Sequence, residues 1–165
     1  MLRQVTFVSR PQAEATVGSR ECILVSLVDP GSPAPTLQPG WRDVLSLAFF
    51  DADEDLVAFA RGQSMAVCEP ADAQRIVAFL DRWDAAEDGP TEVVAHCEQG
   101  ISRSAAVAKF CARRYGLDFP WDYPFANRRV LRLLHEAAGM AFDAEAEARL
   151  LRDALGPDAE IDEGG

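Results

Sequence analysis

The chain has 165 residues, 48% of them hydrophobic, with 16 Lys and Arg against 27 Asp and Glu, a formal net charge of -11. That length suits one domain with a sizeable core, and the composition argues against disorder for the bulk of the chain. The negative excess disfavours nucleic acid and anionic lipid as general partners, although a local cluster of donors could still hold a small anion.

The opening MLRQVTFVSR carries a charge at Arg3 and no long apolar stretch, so no secretory signal is expected. No run reaches the roughly 18 apolar residues of a membrane span, and the expectation is a soluble, cytoplasmic protein with no membrane partner. Residues 5 to 9 alternate as a strand. ECILVSLVDPG continues as a second strand over 22 to 28, stopped by Asp29-Pro30-Gly31. Residues 30 to 40 hold four prolines and two glycines and read as loop. RDVLSLAFFD predicts a third strand over 44 to 50, ending in an acidic cluster.

Residues 51 to 69 predict only a short helical turn near Leu56 to Ala60. Pro70 with Asp72 opens a stronger helix with Ile76, Val77, Phe79, Leu80 and Trp83 as its apolar stripe, and Gly89-Pro90 closes that segment. TEVVAHC is a fourth strand, followed by a helix that ends at Gly116. Two more helices are predicted over 126 to 138 and roughly 143 to 155. Strands mixed with loops, then alternating with helices, predict a three-layer α/β fold: a small, mostly parallel sheet flanked by helices. Residues 1 to 156 read as one domain, and 157 to 165 as an acidic flexible tail.

Cys22, Cys68, Cys97 and Cys111 include no close pair of the kind that holds zinc or works as a dithiol. Taken alone, each reads as a reduced structural thiol. Cys97 differs in its setting, the stretch HCEQGISRS between an apolar strand and a helix. A tight strand-to-helix connection leaves its own N–H groups unpaired, and the first turn of the helix leaves four more. Folded into a concave nest, these donors form a site for a tetrahedral oxyanion. Gly100 permits the turn, and Arg103 adds a planar cationic fork. The same positive potential stabilises a thiolate at Cys97. Ser104, in the first helical turn, can direct its hydroxyl to the sulfur. His96 is expected to point away from the anion and hold the loop in shape.

The run His96-Cys97-Glu98-Gln99-Gly100-Ile101-Ser102-Arg103-Ser104 resembles the signature HCxxGxxR[ST] of the cysteine-dependent protein tyrosine phosphatases, most of all the compact dual-specificity branch and its small bacterial relatives. The resemblance implies a protein tyrosine phosphatase-like fold with the phosphate loop between a strand and a helix. It implies hydrolysis of phosphoric monoesters through a phosphocysteine intermediate. Cys97 matches the nucleophile, Arg103 the phosphate-binding arginine and Ser104 the hydroxyl that eases thiolate departure. The backbone from Glu98 through Gln99, Gly100, Ile101 and Ser102 to Arg103 would hold the phosphate.

The family's general acid is an aspartate on a loop leaving an earlier strand. Asp51, first after the third strand, is the choice here, with Asp53 second. The interval from Asp51 to Cys97 is longer than is usual in compact dual-specificity enzymes, and the extra length falls in residues 56 to 69. Asn127, opening ANRRVLRLL, is read as loop support. No metal or cofactor is expected, since His96 and His135 are the only histidines and no ligand cluster is apparent.

Glu98 and Ile101 stand where phosphoinositide-directed members carry lysines, which argues against a heavily phosphorylated headgroup. The expected partner is a phosphorylated protein or peptide, or a small phosphate monoester. Trp41, Trp121, Tyr123 and Phe125 are the aromatic candidates for a pocket wall. Two rivals remain: a phosphate-binding module with weak or no catalysis, and another thiolate enzyme such as an arsenate reductase. The oligomeric state is left open.

Overall fold

A computed structural model describes residues 1 to 156; the acidic tail expected over 157 to 165 lies outside the described residues. The elements in chain order begin with β1 (Gln4–Ser9), α1 (Arg10–Ala15), β2 (Cys22–Val28) and β3 (Asp43–Ala48). A single 3-10 turn (Glu54–Leu56) leads into α2 (Val57–Gly62) and α3 (Pro70–Asp84). Then come β4 (Glu92–Cys97), α4 (Arg103–Tyr115), α5 (Arg128–Ala137) and α6 (Ala144–Leu155).

The four strands form one sheet in the order β1-β4-β2-β3, and every pairing among them is parallel. This is a three-layer α/β fold with helices flanking the sheet. The register aligns Ser9 with Cys97 and Ser26 with His96, so the carboxyl ends of neighbouring strands lie along one edge. In open parallel sheets that edge is where ligands bind.

The two inner strands, β2 and β4, are buried along nearly their whole length, as expected for strands covered on both faces. Ile23, Val25, Leu27, Val93, Ala95 and Cys97 point into the main core, which they share with buried residues of α3, α4 and α5. Ile76, Leu80, Phe110, Leu131 and Leu134 are fully buried there, each such side chain contributing about 1.5–3 kcal/mol of transfer free energy. Leu24, Ser26, Val94 and His96 alternate to the opposite face, the side on which α1 packs against β1 and β4.

Several boundaries differ from the sequence reading for identifiable reasons. Helix α1 follows β1 directly because Ser9 and Gln12 form a reciprocal capping box, with Pro11 in the first turn. Helix α5 begins at Arg128 because Asn127 is its N-cap, accepting from the Val130 N–H at 2.9 Å. Asp143 caps α6 in the same way. Residues 51 to 69 fold as a small satellite unit. Phe50 bridges to Val67, and Ala52, Val57, Ala60 and Val67 form a second apolar cluster with Met65 against it.

Arginines on α5 pin that unit down. The side chain of Arg128 meets Asp53 at 2.8 Å and Asp55 at 2.6 Å, Arg132 pairs with Glu54, and Arg129 donates to the Cys68 carbonyl at 2.9 Å. Elsewhere Glu147 of α6 receives Lys109 at 2.6 Å and Arg113 at 2.5 Å from α4. Lys109 is fully buried and Glu147 nearly so, so each charge there depends on the other.

Candidate active site

Three strands of the sheet deliver a functional segment to the same edge. β2 runs on into Asp29, β3 into Phe49, Phe50 and Asp51, and β4 ends at Cys97. A cavity of about 330 Å³ opens there, lined by Cys97 and Arg103 together with Asp29, Phe50, Asp51, Met65 and the loop residues Glu98, Gln99, Ile101 and Ser102.

The loop from Cys97 to Arg103 turns at Gly100, whose φ is +70°. A Cβ at that position would lie 2.4 Å from the Ser9 nitrogen and 2.5 Å from the Val8 carbonyl carbon. Glycine is required twice over, by the left-handed backbone and by the close approach of β1. Four contacts brace the loop from outside. The Arg10 N–H donates to the Glu98 carbonyl at 3.3 Å, and the Asn127 N–H to the Ser102 carbonyl at 3.0 Å. The Tyr123 hydroxyl donates to the Ile101 carbonyl at 2.7 Å. The Arg10 guanidinium meets the Glu98 carboxylate at 3.3 Å, and also donates to Ser32 and to the Pro33 carbonyl, which ties the proline-rich loop to the site.

Cys97 Sγ lies 3.2 Å from the Ser104 hydroxyl. Burial by itself would push this thiol up. The Ser104 hydroxyl, the backbone N–H groups of Ser104 and Gly100, and the Arg103 cation outweigh it, and the pKa is lowered from its ordinary value. The other three cysteines go the opposite way. Burial pushes Cys68 up to about 12 and drives Cys111 higher, and it also raises Cys22. A single thiol of the four is therefore activated.

Arg103 is 3% exposed. Its Nη1 donates to the Phe49 carbonyl at 2.6 Å and pairs with Asp29 Oδ1 at 2.8 Å. Its Nε is buried and has no partner among the described residues. A buried guanidinium nitrogen without an acceptor is costly, and a bound oxyanion in the cavity would supply one. Both protein acceptors hold the far end of the fork, so the Nε edge stays free.

Asp51 Oδ1 accepts from the Ser102 hydroxyl at 2.8 Å and from Asn127 Nδ2 at 2.7 Å. Asp53 is differently employed. Its Oδ1 accepts from the backbone N–H groups of Glu54, Arg128 and Arg129, and its Oδ2 from Arg128 Nε. It ties the 3-10 turn to α5 and is not among the residues lining the cavity.

His96 lies on the opposite face of the sheet, with Nε2 2.7 Å from the Ser26 hydroxyl of β2. Its partner is thus the neighbouring strand and not the loop itself. Burial lowers its pKa. Among the wall candidates, Tyr123 reaches the loop, and Tyr123 and Phe125 form an edge-to-face pair with centroids 5.9 Å apart. Trp41 lies instead beside Gly18. The residue that sequence reasoning missed is Asp29, read only as the stop after a strand. A carboxylate directly after an inner parallel strand was the available signal. Among the described residues no group of three or more His, Cys, Asp or Glu side chains could hold a metal ion, and no helix is long and apolar enough to cross a membrane.

No family model matches the chain, and no curated protein matches it in sequence. Among solved structures, the chain is similar to human DUSP28, with 20% identity over 92% of each chain and a TM-score of 0.44. It is similar to a mouse protein described as a candidate dual specificity phosphatase, complexed with zinc tungstate: 22% identity, 90% of this chain, 79% of that one, TM-score 0.38. It is also similar to Tk-PTP in the active form, with 13% identity over 92% of this chain and 90% of that one and a TM-score of 0.41. These are likenesses in the course of the chain, and the chemistry has to be read from this chain's own residues.

Proposed function

We propose that the protein is a phosphoric monoester hydrolase working through a phosphocysteine intermediate, a cysteine phosphatase of the protein tyrosine or dual-specificity type. The observation that carries this reading is the convergence on one cavity of a thiol with lowered pKa and a buried arginine whose Nε lacks an acceptor.

In the first step the Cys97 thiolate attacks phosphorus, forming the S–P bond as the ester P–O bond breaks. Asp51 gives its proton to the departing oxygen, which leaves as an alcohol or phenol. Arg103 and the loop N–H groups neutralise the equatorial oxygens in a geometry fixed before substrate arrives. In the second step the Asp51 carboxylate takes a proton from water as the water oxygen bonds to phosphorus and the S–P bond breaks. Inorganic phosphate leaves, and Ser104 donates to the restored thiolate. No step calls on a metal or cofactor.

The lining favours a single phosphate group. Among the described residues Arg103 is the one cation lining the cavity, while Asp29, Asp51 and Glu98 supply carboxylates, so further phosphates on the same substrate would be repelled. The substrate is a phosphorylated protein or peptide, or a small phosphate monoester. A resolving role for Cys111, as arsenate reduction would need, fits poorly with its full burial and raised pKa.

The test is a panel of phosphotyrosyl, phosphoseryl and phosphothreonyl peptides with small phosphomonoesters, using Cys97→Ser as control. Turnover that disappears in Cys97→Ser, with a labelled phosphate trapped on Cys97 by acid quench, is the expected result. Turnover retained by Cys97→Ser would refute the nucleophile. A phosphate-binding module would bind vanadate yet turn over nothing, and Asp51→Asn would leave it unchanged.

A further inference from the structure

Asp51 leaves β3 at an exposed position, and a carboxyl group free to rotate about its terminal torsion could offer its proton from either oxygen. Here both donors that reach it go to the same atom, Oδ1: the Ser102 hydroxyl at 2.8 Å and Asn127 Nδ2 at 2.7 Å. Among the described residues no donor reaches Oδ2. An oxygen accepting two hydrogen bonds is the carbonyl oxygen of the acid form, and the acidic hydrogen belongs on the other.

Asn127 cannot turn to offer its oxygen instead. That oxygen already accepts from the Val130 N–H at 2.9 Å as the cap of α5, and the residue is 1% exposed. Its backbone N–H is held as well, by the Ser102 carbonyl at 3.0 Å. Ser102, Asn127 and Asp51 therefore form a closed triangle that joins the anion loop, the start of α5 and the acid. Arg128, the next residue, grips Asp53 through both its backbone and its side chain, so the segment carrying the acid is held two residues further on.

We propose that Asn127 and Ser102 are positioning residues that fix the proton of Asp51 on Oδ2 and hold that oxygen toward the leaving group. This rests on the phosphatase reading and deepens it. In the second step the same two donors keep Oδ1 occupied, so Oδ2 is the oxygen that takes the proton from water. The damage from losing either donor should then depend on how much help the leaving group needs.

The test uses Asn127→Ser, which retains an N-cap acceptor but loses the amide donor, and Ser102→Ala, which leaves the α5 cap untouched. Each is assayed with p-nitrophenyl phosphate, whose phenolate leaves readily, and with an alkyl phosphate, whose alkoxide does not. The expected result is a fall in kcat on the order of tenfold for the alkyl ester, a part of the 10²–10⁴ that general acid catalysis supplies, and a clearly smaller fall for p-nitrophenyl phosphate. For Ser102→Ala the fall in kcat should exceed any change in vanadate affinity, because the hydroxyl removed bonds Asp51 Oδ1. In an Asp51→Asn background the second substitution should add nothing.

An equal loss with both esters, a parallel loss of vanadate affinity, or full additivity with Asp51→Asn would overturn the proposal. If Asn127→Ser does not fold, Ser102→Ala decides. Failure of the phosphatase reading looks different: the wild-type protein would hydrolyse neither ester, or Cys97→Ser would remain active, and the proposal would fall with it.

Discussion

Replacing Ser104 by alanine removes one hydrogen-bond donor from the reactive sulfur and leaves the backbone of the loop intact. Ser104 is fully buried, and its Oγ stands 3.2 Å from Cys97 Sγ. The N–H groups of Ser104 and Gly100 and the Arg103 cation remain to stabilise the thiolate. A hydrogen bond to a charged group contributes about 1.5–3 kcal/mol, and with three other sources of positive potential still in place the lower end applies. Roughly 1.4 kcal/mol is a factor of ten, so the thiolate-to-thiol ratio at a fixed pH should fall about tenfold. The assay is the rate of iodoacetamide alkylation at Cys97 against pH, with mass spectrometry resolving the four cysteines. The variant curve should move to higher pH while the other cysteines stay unreactive near neutrality. On the proposed mechanism, departure of the sulfur should slow more than attack, so that the phosphocysteine accumulates and a burst of alcohol precedes the steady state. An unmoved alkylation curve with no burst would refute the argument that Ser104 holds the thiolate.

Four further outcomes follow from the geometry. Gly100→Ala should destabilise the fold by about 1–3 kcal/mol from the left-handed backbone alone, with more from the 2.4 Å approach to Ser9; unchanged urea midpoint and vanadate affinity would contradict this. Asp29→Ala should weaken vanadate binding a few-fold by releasing one hold on the Arg103 fork, with Asp29→Glu recovering part of the loss in the same titration. Glu147→Gln should cost about 3–5 kcal/mol in urea unfolding, since it leaves Lys109 buried without its counter-charge. His96 and His135 both have pKa values lowered from 6.5, chiefly by burial. The unfolded chain therefore takes up protons that the folded chain refuses, and stability is lost as the pH falls below about 6.5; Tm followed into mildly acid pH should drop, less steeply in His135→Gln.

The site divides into a part legible in one dimension and a part that is not. Cys97, Gly100, Arg103 and Ser104 were readable because the loop is local: a strand end, a turn and a helix start within eight residues must place their donors around one point. Helix α1 was readable in principle from the capping pair Ser9 and Gln12, but six residues give too little periodicity to reveal a helix. Asp51 ranks above Asp53 in sequence only because it comes first after the strand that both follow. What separates them is α5, more than seventy residues away, whose Arg128 claims Asp53 while Asn127 reaches Asp51.

The order of elements and the buried character of the inner strands follow from the sequence alone, because apolar runs and turn residues act through neighbours along the chain. So does the short connection after β4 that carries one cysteine and one arginine. The strand order β1-β4-β2-β3, by contrast, is set by which faces must be covered together, and it brings Asp29, Asp51 and Cys97 to one edge. The Arg103 Nε and the Asp51 Oδ2 that have no partner among the described residues were likewise decided only in three dimensions. Hydrogen bonds there join atoms that packing, and not adjacency in the chain, has brought within 3 Å.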